Sequence, residues 1–175
     1  MATRHPQSFV IDASVVRAAG GEEASFPASK HCRDLLKAVL SICHRIVLTQ
    51  EVMDEWKANW SRFGRKWLTS MYARKKVGWP SVAANPALRR AVQEALTDPG
   101  DADEALADMH LVEAALAVGA RIASRDDRAK GLLKKAAGDV AALRTVIWVN
   151  PDTQAAEVEA WLLNGAPDDA RLRLC

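Results

Sequence analysis

The stretch from Asp101 to Asp127, DADEALADMHLVEAALAVGARIASRDD, constrains the fold most, because it reads as a helix running into a strand with a carboxylate in each. Asp101 is suited to cap the helix, Glu104 stands three residues on as in a capping box, and Gly119 falls just past the last apolar position. The spacing predicts a helix over roughly 102–117. Asp108, Leu111, Val112, Ala115 and Leu116 then share one face. An acid on an apolar stripe is costly to bury alone, so an inward Asp108 needs a partner, a proton or a metal. Beyond Gly119, the run Arg121–Ser124 suits a brief strand, and Asp126 and Asp127 fall just past its end. Open α/β sheets bind ligands at that edge, although either aspartate also suits the cap of a following helix.

Earlier in the chain the pattern recurs. Phe9, Val10 and Ile11 form a compact apolar run, the mark of a strand buried on both faces, and Asp12 and Ser14 follow at once. Arg45–Leu48 predicts a second strand and Thr145–Val149 a last one, with helices expected near 27–43, 87–97, 127–137 and 153–163. Strands separated by helices imply a parallel sheet with right-handed crossovers, hence an α/β fold. At 175 residues, with 49% hydrophobic residues, one domain over 1–175 is the economical reading. Residues 1–7 and the tail after Gly165 are expected to be mobile.

From Thr49 onward a long helix is expected, with Val52, Trp56, Trp60, Phe63 and Trp67 on one stripe. Glu55 borders that stripe, whereas Glu51 stands nearer the helix start, where the macrodipole alone favours an acid. Either could contribute to a site, and Glu55 is the better placed. Between 57 and 76 the chain carries Lys57, Arg62, Arg65, Lys66, Arg74, Lys75 and Lys76 with no acid, although the whole chain has a formal net charge of only +2. Six of its ten aromatic residues, Trp56, Trp60, Phe63, Trp67, Tyr72 and Trp79, are interleaved with these cations. That mixture suits phosphate contact with base stacking, and marks roughly 61–85 as a helical, basic, Trp-rich insertion or arm.

The three cysteines, Cys32, Cys43 and Cys175, form no CxxC pair, so no disulfide framework or zinc ribbon is expected. No apolar run approaches a membrane span, and the opening residues lack a secretory layout, so a cytoplasmic protein with no membrane partner is expected.

Acids at two strand ends, near one helix start and on one inward helical face can meet only at the carboxyl edge of a parallel sheet. Crowded carboxylates repel unless a divalent cation lies among them, and oxygen ligands alone point to Mg²⁺ or Mn²⁺. Such an ion lowers the pKa of a bound water and polarises a phosphodiester. A rival use of Asp12, as a nucleophile forming an aspartyl phosphate, lacks the second acid two residues on, since that position is Ser14.

The segments FVIDAS, VLTQEVMDEW and ADMHLVEAALAVGARIASRDD, with the final apolar strand, resemble a PIN-domain ribonuclease of the VapC toxin type over about residues 8–150. Carried over, the acidic quartet of that family falls on Asp12, Glu55, Asp108 and Asp126, with Ser14, Ser124 and Asp127 as neighbouring polar groups. The resemblance implies a three-layer α/β/α sandwich with a central parallel sheet, Mg²⁺ or Mn²⁺ held by the quartet, and hydrolysis of single-stranded RNA. It further implies a homodimer and, in the toxin branch, a small antitoxin protein. Arg62, Arg65, Lys66, Arg74, Lys75 and Lys76 are the expected RNA-binding cations. The competing expectation is a catalytically silent module of the same fold that binds RNA or protein.

Overall fold

The computed structural model describes residues 6–175, so most of the leader expected to be mobile lies outside the described residues. Among the described residues, five strands form one sheet: β1 (Ser8–Ile11), β2 (Arg45–Val47), β3 (Val77–Gly78), β4 (Arg121–Ala123) and β5 (Trp148–Val149). The order is β3-β2-β1-β4-β5, and every adjacent pair is parallel. Phe9, Val10 and Ile11 are wholly buried, as a central strand covered on both faces requires.

From β1 the chain steps outward to β2 and β3, then returns past β1 to β4 and β5. Its direction therefore reverses between β1 and β4, which makes their carboxyl ends the topological switch point where α/β sheets bind ligands. Helices α1 (Ala13–Ala18), α2 (Pro27–Ser41), α3 (Gln50–Asn59) and α4 (Arg62–Ala73) connect the first three strands. Helices α5 (Pro86–Ala95), α6 (Pro99–Ala107) and α7 (Met109–Val118) lead back to β4, α8 (Asp127–Ala136) precedes β5, and α9 (Ala155–Leu163) follows it. One layer is built where α2 packs on α1, α4 and α9; in the other, α6 packs on α5, α7 and α8 while α7 lies on β1 and β4. The result is the expected α/β/α sandwich.

The stretch 61–85 is not a projecting arm. Phe63, Trp67, Leu68 and Met71 are buried, and Trp67 Nε1 donates to the Leu36 carbonyl at 2.6 Å. Gly64 lets α4 lie against α1, since a Cβ there would stand 2.4 Å from Val16 Cγ1. Val77 and Gly78 then add the edge strand β3, which is too short to leave a periodic signal. The long helix expected from Thr49 breaks at Trp60, whose extended backbone separates α3 from α4, and the Ser61 hydroxyl caps α4 by accepting from Gly64 N at 3.0 Å.

Three further departures lie later in the chain. The helix expected over 102–117 is two helices that meet at Asp108 (φ −96°, ψ 5°), and its start is capped by Asp98 instead of Asp101. Gly119 closes α7 in the left-handed conformation, as its position suggests (φ 64°). The tail expected to be mobile is packed: Leu172 and Leu174 are buried, and Arg173 bridges antiparallel to Ile147. The last strand begins later than expected, because Ala141–Thr145 forms a 3₁₀ turn ahead of it.

Candidate active site

Asp12 leaves β1 directly, its backbone N–H still donating to the Ala123 carbonyl of β4 at 2.9 Å. Its Oδ2 accepts from two hydroxyls, that of Ser14 and that of Ser124 at 2.8 Å. Ser124, wholly buried, also accepts from Asp126 N at 3.0 Å, while Ser14 accepts from Arg125 N at 3.1 Å. The two serines therefore tie the end of β1 to the end of β4 and set the spacing of the aspartates that flank the switch point.

Glu55 arrives on α3. That helix is pinned to the same place by Trp56, wholly buried, whose Nε1 donates to the Ile11 carbonyl at 2.8 Å, one residue before Asp12. Glu55 Oε2 lies 3.1 Å from His110 Nε2 on α7. Glu51, by contrast, is exposed and acts electrostatically on Arg89. Of the two acids left open by the sequence, Glu55 is the one that faces the other carboxylates.

Asp108 stands at the junction of α6 and α7 and is half-buried. Burial, then repulsion from Asp12 and Asp126, and more weakly from Glu55, push its pKa up from 3.8 to about 7, with His110 opposing. The charges of Asp12, Asp126 and Glu55 thus all reach Asp108. Asp126 serves twice, because its Oδ1 also caps α8 by accepting from Ala129 N at 2.8 Å. Asp127, the other candidate cap, is instead the first residue of α8 and is exposed; its Oδ2 accepts from the Thr153 hydroxyl at 3.1 Å.

Among the described residues, no three His, Cys, Asp or Glu side chains already stand together as a metal cluster. The donor chemistry nevertheless fits a hard cation. Asp12, Glu55 and Asp126 are each held through one oxygen, leaving the second free of hydrogen bonds within the described chain, and both oxygens of Asp108 are likewise free. The neighbouring arginines pair chiefly with other acids, Arg125 with Asp152 at 3.1 Å and Arg128 with Glu104 and Asp101, while Asp126 also feels the charge of Arg128.

The expected RNA-binding cations are dispersed. Arg62 pairs with Glu23 at 2.9 Å, Lys66 lies 3.6 Å from Glu22, and the Arg65 guanidinium stands 5.2 Å over the Trp60 ring. These acids come from the turn before α2, so the unbroken run of positive charge in the sequence is partly balanced in space. Arg74, Lys75 and Lys76 precede β3 and lie at the amino edge of the sheet, opposite the carboxylates, with Lys76 Nζ donating to the Leu40 carbonyl. Trp56 and Trp67 are core, whereas Tyr72 and Trp79 are exposed and joined by a 3.0 Å hydrogen bond.

Cys32 is buried, and burial raises its thiol pKa to about 12, while Cys43 is exposed. His110 gave no signal in the sequence, because only the helix break at Asp108 turns it toward α3. Among the described residues no helix is long and apolar enough to cross a membrane. Comparison with protein-family models, with curated proteins and with solved structures returns no match.

Proposed function

We propose that this chain is a divalent-metal-dependent endoribonuclease that hydrolyses phosphodiester bonds of single-stranded RNA, of the PIN-domain kind its sequence resembles. One observation carries the reading. Asp12, Glu55, Asp108 and Asp126, from four separate parts of the chain, converge electrostatically on the carboxyl edge of the sheet at its switch point.

In this reading the four carboxylates would hold Mg²⁺ or Mn²⁺. The ion, when bound, supplies charge neutralisation at the phosphate and an activated water. The rest is the work of the chain. Ser14 and Ser124 orient Asp12, Ser124 sets the backbone of Asp126, and Trp56 fixes the helix bearing Glu55 against β1. Such fixed donors need little rearrangement on binding substrate. The same resemblance suggests the toxin of a toxin–antitoxin pair, inhibited by a small antitoxin protein and acting as a homodimer.

Cleavage of a pool of single-stranded RNA with and without Mg²⁺ or Mn²⁺ tests the activity. Asp108→Asn, nearly isosteric and one charge poorer, should abolish metal-dependent cleavage while leaving the fold intact. Cleavage at the native rate by that variant overturns the assignment. A small antitoxin encoded beside this gene would support the toxin role.

A further inference from the structure

The break between α6 and α7 leaves a backbone carbonyl in need of a partner. In a continuous helix Leu111 N would bond to Ala107 O, but here it bonds to Asp108 O at 3.0 Å. The His110 ring fills the gap, with Nδ1 lying 3.0 Å from Ala107 O. A carbonyl only accepts, so Nδ1 carries the hydrogen of that bond. The opposite ring nitrogen, Nε2, lies 3.1 Å from Glu55 Oε2, and because a carboxylate likewise only accepts, this second bond needs a hydrogen of its own, on Nε2 or on the Glu55 carboxyl. One rigid ring therefore spans from the main chain beside Asp108 to a side chain on another helix.

The two partners differ in freedom. The His110 side chain is 8% exposed and that of Glu55 45% exposed. A half-exposed glutamate has three side-chain torsions, and holding it in one arrangement against water needs an anchor. Nothing else in the described chain hydrogen-bonds the Glu55 carboxylate.

We propose that His110 is a positioning residue of the candidate metal centre: by bridging Ala107 O and Glu55, it fixes where the Glu55 carboxylate stands relative to Asp108. This rests on the metal-centre reading above, and extends it to a residue outside the acidic quartet. Groups that orient metal ligands in this way typically contribute about tenfold to hundredfold in metal affinity.

Two amide variants separate the two bonds, because an asparagine nitrogen falls near Nδ1 and a glutamine nitrogen near Nε2. Mn²⁺ binding is measured by isothermal titration calorimetry for the native protein, His110→Asn and His110→Gln, each with and without Glu55→Gln. His110→Asn should keep the bond to Ala107 O yet bind Mn²⁺ about tenfold to hundredfold more weakly. His110→Gln, which can still reach Glu55 but loses the tie to Ala107 O, should lose less affinity than His110→Asn. In the Glu55→Gln background the histidine changes should have little further effect, since the coupled partner is already altered.

Native affinity in His110→Asn overturns the proposal, as does an equal loss with and without Glu55→Gln, which would mark a merely structural role. A native protein that binds no Mn²⁺ overturns it together with the metal centre. Mn²⁺ binding without RNA cleavage would sink the ribonuclease reading alone, leaving His110 to be judged by the titration.

Discussion

Asp108 should make the protein less stable than it need be, and the deficit should depend on pH. Its carboxyl has a pKa near 7 in the folded chain, against an ordinary 3.8, because burial and three neighbouring acids disfavour the charge. Between these values the folded protein keeps a proton that the unfolded chain has released. The stability contributed by this group is fully present below about pH 4, and is lost as pH rises through about 7. The difference converts to roughly 4 kcal/mol as an upper limit, and solvent screening of a half-buried group reduces it to about 2 kcal/mol.

Asp108→Asn removes the titration while nearly preserving shape. From about pH 4 to about pH 8 the stability difference should therefore shift by about 2 kcal/mol in favour of the variant, or roughly 4–8 °C in melting temperature for a chain of this size. Urea or thermal denaturation in a chelating buffer measures it. Added Mg²⁺ or Mn²⁺ should stabilise the native protein more than the variant at the high-pH end. Parallel pH profiles for the two proteins would refute the electrostatic account of Asp108.

Trp56→Phe retains most of the buried ring but removes the donor to Ile11 O; it should cost about 1–3 kcal/mol in urea denaturation and lower metal-dependent cleavage, because α3 loses its tie to β1. A variant as stable as the native protein would show that Ile11 O finds another donor. Charge reversal at Arg74 and Lys75 should leave cleavage of a short single-stranded RNA unchanged, since these residues lie at the far edge of the sheet from the acids. Only binding of a longer RNA should weaken and lose part of its salt dependence, read by titration at several salt concentrations. Equal losses for short and long RNA would contradict that separation.

The parts of the site carried by buried strands were legible in the sequence. Asp12 and Asp126 stand out because a strand covered on both faces is a compact apolar run, and a parallel sheet aligns the ends of such runs. Glu55 was separable from Glu51 by its place beside the aromatic stripe, and its neighbour Trp56 proves to be both core and anchor. The inward side of Asp108 was also legible, although the single helix assumed for it was not. Periodicity averages over a window, so one residue of altered backbone at a helix junction escapes it.

By itself, the amino-acid sequence determined the alternation of strands and helices, the parallel sheet it implies, and which acids end up at the sheet's carboxyl edge. These follow from local patterns of apolar and polar residues, which burial on two faces enforces. Only the tertiary structure decided how charge and hydrogen bonds are shared among distant elements. The run of cations at 57–76 reads as one patch along the chain, yet in space α4 meets Glu22 and Glu23 at one end and carries Arg74–Lys76 to the opposite edge at the other. Likewise His110 becomes a bridge only where α7 restarts beside α3. Hydrogen bonds and ion pairs depend on a few ångströms of separation, and the packing of α3, α4 and α7 sets those distances.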